Sequence, residues 1–319
     1  MSSPTAKVIA HSKSVITGKE VITFELEFPR IVLAEFNTHN ALSKNSSSSR
    51  AIPVAKILEQ VRNNPAMPVR FGAANKGMQD AGEHAGVVTF TDEFGPWSGS
   101  AEDAWHYAAM DAAQWAERFY EAGYAKQICN RLIEPFQTMK VVMTATELNN
   151  FIWLRDHPAA DPTIDALAKA IKEAKEKSQS VTLGPGAWHT PYYGEGYWDS
   201  DCEDTLQNAL TISASCCAQA SFRTLDDSLE KAYGVVDKLN LKGENDEPVH
   251  ASPTEHQCTP VQQGGEFWDG NGQYELNTHN PESWEDGITH MDRDGTMCSG
   301  NLKGFIQYRQ LIPNNVKKG

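Results

Sequence analysis

The sequence predicts an α+β fold, and three observations carry that prediction. Ile22, Phe24, Leu26 and Phe28 alternate with Thr23, Glu25 and Glu27, the period of two expected of a half-buried strand. Within 101–133, Trp105, Ala108, Ala112, Trp115 and Phe119 recur at three- and four-residue spacing, an apolar helical stripe. Strand and helix signals also come in separate runs with long turn-rich segments between them, instead of alternating as βαβ units.

Taken in order, the elements are these. Val21 to Pro29 is the first strand, and the apolar run Ile31 to Ala34 leads from it into a polar segment, 35–53. The helical region 101–133 has Gly123 as a point of division. A helix over 163–177 has Asp161 as its cap, Pro162 in its first turn and lysines toward its end. Two further helices cover 203–222 and 226–240. The turn-rich segments are 184–200 and 243–298; a segment as long as the second is usually functional or carries short strands. Leu302 to Ile312 reads as a returning strand. No internal repeat is found, and one domain over 1–319 accommodates all of these elements.

Composition narrows the function. The apolar content is 40%, with eight tryptophans, as in a soluble globular protein, and no apolar run approaches the roughly 18 residues of a membrane helix. Met1 to Ala10 has no long apolar block and no cleavage pattern. The six cysteines show no paired spacing beyond the adjacent Cys216 and Cys217, so a reduced, cytoplasmic protein is expected, in a host cytoplasm if a phage encodes it. A net charge of -14 argues against a nucleic-acid backbone as partner. A small anion remains compatible, provided that basic side chains gather locally against the overall field.

Four constellations could carry chemistry. In the first, Glu35 to Pro53, a histidine, three amides, a serine run and Arg50 share one polar segment. A capping loop rich in Asn and Ser has the same composition, but hydroxyls, free backbone N–H groups and a guanidinium together make a phosphate cradle. In the second, His250-Ala-Ser-Pro-Thr-Glu-His256, the spacing with Pro253 inside does not put both imidazoles on one helical face, which disfavours a zinc site. The third is Asn150-Phe-Ile-Trp-Leu-Arg155, with Arg131 ahead of Pro135; a helix with a snorkelling arginine is its plain reading. The fourth, Ser213 to Phe222, reads as a small-residue helix packed closely on a neighbour. No base or cation flanks Cys216 and Cys217 to activate a thiol.

These residues resemble the flavin-dependent thymidylate synthases, in the long form found in bacteriophages. The signature of that family runs T-H-R-x-x-S-x-N-x-x-S-S-R, and Thr38 to Arg50 matches it except that Asn40 stands where the arginine after the histidine is usual. His250, Ser252, Pro253, Glu255 and His256 match the family's H-x-[ST]-P-x-E-H motif, which here follows the signature instead of preceding it. Asn150 to Arg155 matches N-F-x-x-L-R, and Cys216 stands where the phage-type proteins usually have arginine. The resemblance extends over 19–53, Asn75 to Gln79, 123–171, 213–222 and 250–257.

The resemblance implies an α+β subunit, a mixed sheet with packed helices, assembled into a homotetramer with shared sites. It implies FAD, methylene-tetrahydrofolate and NADPH, and methylation of dUMP at C5. In that scheme Arg155 and Arg131 are the catalytic candidates, and Glu35, Ser46, Ser48 and Arg50 join them in holding the nucleotide. His39, Asn40, Asn150, His250, Ser252 and Glu255 are the flavin candidates, and no metal is implied. Two arginines fewer than usual leave two alternatives: a hydroxymethylase acting on dUMP or dCMP in a phage that modifies its pyrimidines, and a catalytically silent nucleotide-binding homologue.

Overall fold

The computed structural model describes residues 3–77, 79–220, 225–243, 250–262 and 281–316, without the side chain of Asp92. Met78, Ser221, Phe222 and much of the segment 243–298, all singled out above, therefore lie partly or wholly outside the described residues.

The predicted strand is real and central. Glu20–Pro29 pairs antiparallel with Thr5–Ser14 on one side and with Thr138–Ala145 on the other. Ser43–Ser46 pairs antiparallel with Thr138–Ala145 at one edge, and Val181–Leu183 pairs parallel with Thr5–Ser14 at the other. The sheet is thus mixed and five-stranded. Its central strand is not half-buried as the alternation suggests: Val21, Ile22, Thr23 and Phe24 are all buried, because both faces of the sheet are covered. On one face Phe24, Leu26 and Phe28 pack with Phe36, Phe151, Ile164, Leu167 and Ile171. On the other, Val142 packs against Cys217 and Ala220.

The helix predicted over 163–177 runs Pro162–Glu176, and Asp161 caps it by accepting from the amides of Thr163 and Ile164. The region 101–133 divides as expected at Gly123 (φ +85°), into Ala101–Glu121 and Lys126–Leu132. The predicted stripe is rotated. The buried face is Ala109, Ala113 and Ala116, whereas Ala108 and Trp115 are exposed. Small residues let this helix approach Ile57, Val61 and Ile133 closely, and its tryptophans stand at the margins.

Leu206–Ala220 and Leu229–Lys238 are the next two helices. From Ala209 to Ala220 every residue of the first is buried, as its small side chains require. The turn-rich segments carry short strands: Trp188–His189, Tyr197–Trp198 and Cys258–Pro260 join Phe305–Gln307 in a second sheet. Leu302 to Ile312 is not one strand. It divides into Leu302–Lys303 and Phe305–Gln307 around Gly304 (φ +74°), then ends as the helix Tyr308–Leu311. Among the described residues, no helix is long and apolar enough to cross a membrane.

Candidate active site

The segment 35–53 is less exposed than its polarity suggests. Ser43, Asn45, Ser47 and Ser49 are buried, and strand pairing places alternate residues on opposite sides of the sheet edge. Burial of these groups requires partners, and the partners tie the segment to distant parts of the chain. Asn45 Nδ2 donates to the Cys217 carbonyl at 2.7 Å, and Ser252 Oγ donates to Asn45 Oδ1 at 2.9 Å. Gln307 Nε2 donates to Ser43 Oγ at 3.1 Å and to the Glu255 carbonyl at 3.0 Å. Asn130 Nδ2 donates to the carbonyls of Ser49 and Ile52 at 2.9 and 3.0 Å, so the helix Lys126–Leu132 fixes the end of the serine run.

Around this segment lies a cavity of about 370 Å³. Asn45, Ser46, Ser48 and Arg50 form one side, with Lys126 beside them. Ala218, Gln219, Val235, Lys238, His250 and Pro253 line it elsewhere. The chain has 42 acidic residues against 28 basic ones, yet none of the described residues lining this cavity is acidic. Arg50, Lys126 and Lys238 form no ion pair among the described residues. This is the local gathering of positive charge that an anionic ligand needs. Gln219 Nε2 is engaged by Ser215 Oγ and the Asp226 carbonyl, which leaves its buried Oε1 without a partner.

A second group surrounds Arg155 on the short helix Asn149–Arg155. Its Nε donates to His39 Nε2 at 2.9 Å, and its Nη1 donates to Glu35 Oε2 at 3.3 Å. The His39 ring stands edge-on to Phe151, centroids 4.9 Å apart. Burial, the Arg155 guanidinium and the Lys44 ammonium all hold the His39 pKa below its usual value. His39 is therefore neutral and accepts at Nε2, consistent with a donor Arg155. Lys44 Nζ donates to the His39 carbonyl at 2.7 Å; burial lowers its pKa, and Glu255 opposes that shift.

Not every predicted site residue joins these groups. Ser46, Ser48, Arg50 and His250 line the cavity; Glu35, His39 and Arg155 form the second group. Arg155 does not line the cavity, and neither does Arg131, which is exposed although Lys126 of the same helix does. Asn40 and Asn150 are exposed. Ser252 is committed to Asn45, and Glu255 pairs with Arg309. Of the residues assigned to the flavin, His250 alone lines this cavity, and Ser252 and Glu255 are already engaged within the chain.

His250 and His256 stand in different surroundings. His256 is fully buried, its Nδ1 2.8 Å from Thr144 Oγ1, and burial pushes its pKa down to about 3. Thr144 continues to Thr23 at 2.6 Å, then to His189 Nε2 at 2.8 Å, and His189 Nδ1 reaches Ser12 Oγ at 2.8 Å. This polar thread crosses the sheet through its core. Cys216 and Cys217 are buried too; desolvation pushes the Cys216 thiol up to about 12 and the Cys217 thiol well above its ordinary value. Neither is a poised nucleophile.

Sequence reasoning missed Lys126, Lys238 and Gln219. Lysine near a helix end is ordinary, and nothing in the spacing of these three residues links them to the signature.

The family model for thymidylate synthase complementing proteins matches residues 5–178. Among solved structures, the UMP/dUMP methylase PolB from Streptomyces cacaoi bound with 5-Br dUMP is similar at 16% identity. That match covers 56% of this chain and 91% of that one, with a TM-score of 0.38. The same methylase bound with 5-Br UMP is similar at 15% identity over 56% and 90% of the two chains, with a TM-score of 0.39. No curated protein matches the chain.

Proposed function

The chain belongs to the thymidylate synthase complementing protein family, the flavin-dependent thymidylate synthases, and from that membership we propose that it transfers a one-carbon unit to C5 of dUMP. It is a methyl-transferring enzyme of that type. The observation that carries the nucleotide reading is the basic cavity, since the signature residues Ser46, Ser48 and Arg50 line it in a strongly acidic chain.

The chemistry asks for two things of the protein. The phosphate needs a compact cationic cradle, which Ser48 and Arg50 suit. The uracil ring needs help as C5 attacks the one-carbon unit, because C5 is a weak nucleophile and negative charge develops on the ring. A fixed guanidinium in a dry pocket stabilises that charge. Arg155 suits this role: Glu35 and His39 hold its Nη1 and Nε, and its Nη2 makes no hydrogen bond among the described residues. Neutral His39 orients the guanidinium without repelling it. No protein nucleophile is required, in keeping with two thiols of raised pKa.

FAD, methylene-tetrahydrofolate and NADPH are the cofactors proposed for the reaction. The reading includes a homotetramer in which neighbouring chains complete each site, in keeping with Arg50 lining the cavity and Arg155 standing outside it. The residues beyond 178 belong to the same functional unit: Asn45 of the signature is bonded to both Cys217 and Ser252.

Asn40 and Cys216 favour a second reading, since each replaces an arginine usual in the family and weakens the case for the reductive half of the reaction. In that reading the methylene is released with water, as a hydroxymethyl group, on dUMP or dCMP. Incubation of the protein with methylene-tetrahydrofolate and dUMP, UMP or dCMP, with and without FAD and NADPH, decides between them by product mass. A methylated uridine nucleotide supports the first reading and a hydroxymethylated one the second. Unchanged nucleotides in every arm, with the protein folded, overturn both.

A further inference from the structure

We infer that Lys238 and Lys126 close, with Arg50, a three-cation clamp on the phosphate of the nucleotide, so that the part of the chain beyond the family match takes part in substrate binding. The inference rests on the nucleotide reading above and assigns two residues outside the signature, of which Lys238 also lies beyond the family match.

The first support is electrostatic. Three cations line one cavity, with no acidic side chain among the described residues of its lining, in a chain of net charge -14. Gathering like charges carries a repulsive cost, and a bound phosphate of about -1.5 to -2 charge relieves it. Other basic residues are answered by carboxylates: Arg30 by Glu134, Arg62 by Glu117, Lys172 by Asp156 and Lys303 by Glu147.

The second support is that both lysines are positioned relative to the signature. Lys126 opens the helix Lys126–Leu132, which Asn130 ties to the carbonyls of Ser49 and Ile52 on either side of Arg50. Lys238 ends the helix Leu229–Lys238, whose Ala232 and Val236 pack on Ile212, Ala214 and Cys216 of Leu206–Ala220. That long helix is fixed in turn by the bond from Asn45 to the Cys217 carbonyl. Each lysine backbone is therefore referenced through packing and hydrogen bonds to the strand that carries Ser46. Only the flexible lysine stems remain free to adjust to a ligand.

An anion in this cavity could be the nucleotide's phosphate or the pyrophosphate of FAD. The lining favours the nucleotide, because Ser48 and Arg50 are its signature residues and the cavity of about 370 Å³ is compact.

The test is calorimetric titration of the full chain with dUMP, deoxyuridine and FAD separately, for the wild type and for Lys238→Ala, Lys126→Ala and Lys238→Arg. The wild type is expected to prefer dUMP to deoxyuridine. Each alanine variant should weaken dUMP binding roughly tenfold, as for loss of one charge-assisted contact. Deoxyuridine binding should be unchanged, and Lys238→Arg should recover most of the loss. If the wild type prefers dUMP and Lys238→Ala binds it equally well, the clamp is wrong while the nucleotide reading stands. If Lys238→Ala loses affinity for FAD and not for dUMP, the clamp belongs to the other ligand and the inference fails. A wild type that binds neither pyrimidine overturns the nucleotide reading and the clamp together.

Discussion

Arg155 donates its Nε–H to Nε2 of His39 at 2.9 Å, joining the end of one short helix to the start of the signature segment. The bond fixes a guanidinium whose carboxylate partner, Glu35, is 45% exposed at its side chain. An ion pair so placed adds little to stability, so its value lies in orientation.

Arg155→Ala should therefore lower the turnover rate by about 10² to 10³ while the protein stays folded. The same variant removes one of the charges that depress His39, so the His39 pKa should rise toward its ordinary value of 6.5. Steady-state rates and an NMR titration of the imidazole check the two halves. A mutant as fast as the wild type removes Arg155 from the mechanism.

Acid should destabilise this protein through its buried imidazoles. His189 and His256 have pKa values pushed from 6.5 down to about 3 in the folded state. Between those values the unfolded chain binds protons that the folded chain excludes. Stability is thus full above about pH 6.5 and falls as pH drops toward 3, by up to about 1.4 kcal/mol per pH unit for each imidazole. Denaturant unfolding across that range, compared with His256→Gln, measures the contribution. Equal slopes in the two proteins would exclude His256 as a source.

Cys216→Ser and Cys217→Ser should both leave the chemistry intact. The thiols are buried in the helix Leu206–Ala220, and desolvation raises both pKa values. Cys217 Sγ accepts from Gln257 Nε2 at 3.6 Å, a contact that a serine hydroxyl can take over. The folded double variant should turn over at a rate within a few-fold of the wild type. Complete loss of rate in a folded variant would restore a cysteine mechanism.

Asn40→Arg should tighten flavin. Asn40 is exposed, so the larger side chain meets no packing penalty, and a well-formed charge-assisted hydrogen bond contributes roughly 1.5–3 kcal/mol. Flavin retained through gel filtration, read by visible absorbance, is the measurement. Identical retention in both proteins means that position 40 does not touch the cofactor.

How much of this was legible in the sequence depends on whether a signal is local. The strand around Phe24, the capped helix after Asp161 and the division at Gly123 all follow from spacing and local chemistry. Thr138–Ala145 was not foreseen as a strand: it is buried on both faces, so it lacks alternation and reads simply as an apolar run. The signature could be read because its chemistry is contiguous, from Thr38 to Arg50. Lys238 could not, because its meaning comes from helix packing and from the bond between Asn45 and the Cys217 carbonyl. The union of His39 with Arg155 is likewise a product of topology: the two segments meet only because the sheet brings both to one edge.

The final expectation concerns assembly. Arg50 lines the basic cavity and Arg155 does not, although both are needed to bind and activate one nucleotide in the proposed reaction. Two residues assigned to the flavin are already engaged within the chain, Glu255 with Arg309 and Ser252 with Asn45. If each site draws its phosphate clamp from one chain and its ring guanidinium from another, an Arg50→Ala chain and an Arg155→Ala chain are defective in different halves. Mixed, dissociated and reassembled, they should form some sites with both halves intact and recover part of the wild-type rate. Either variant alone should stay at its own lowered rate after the same treatment. Light scattering should report a tetramer for the active species. An active monomer, or no recovery from mixed tetramers whose exchange is verified by mass, would mean that each chain builds its site alone.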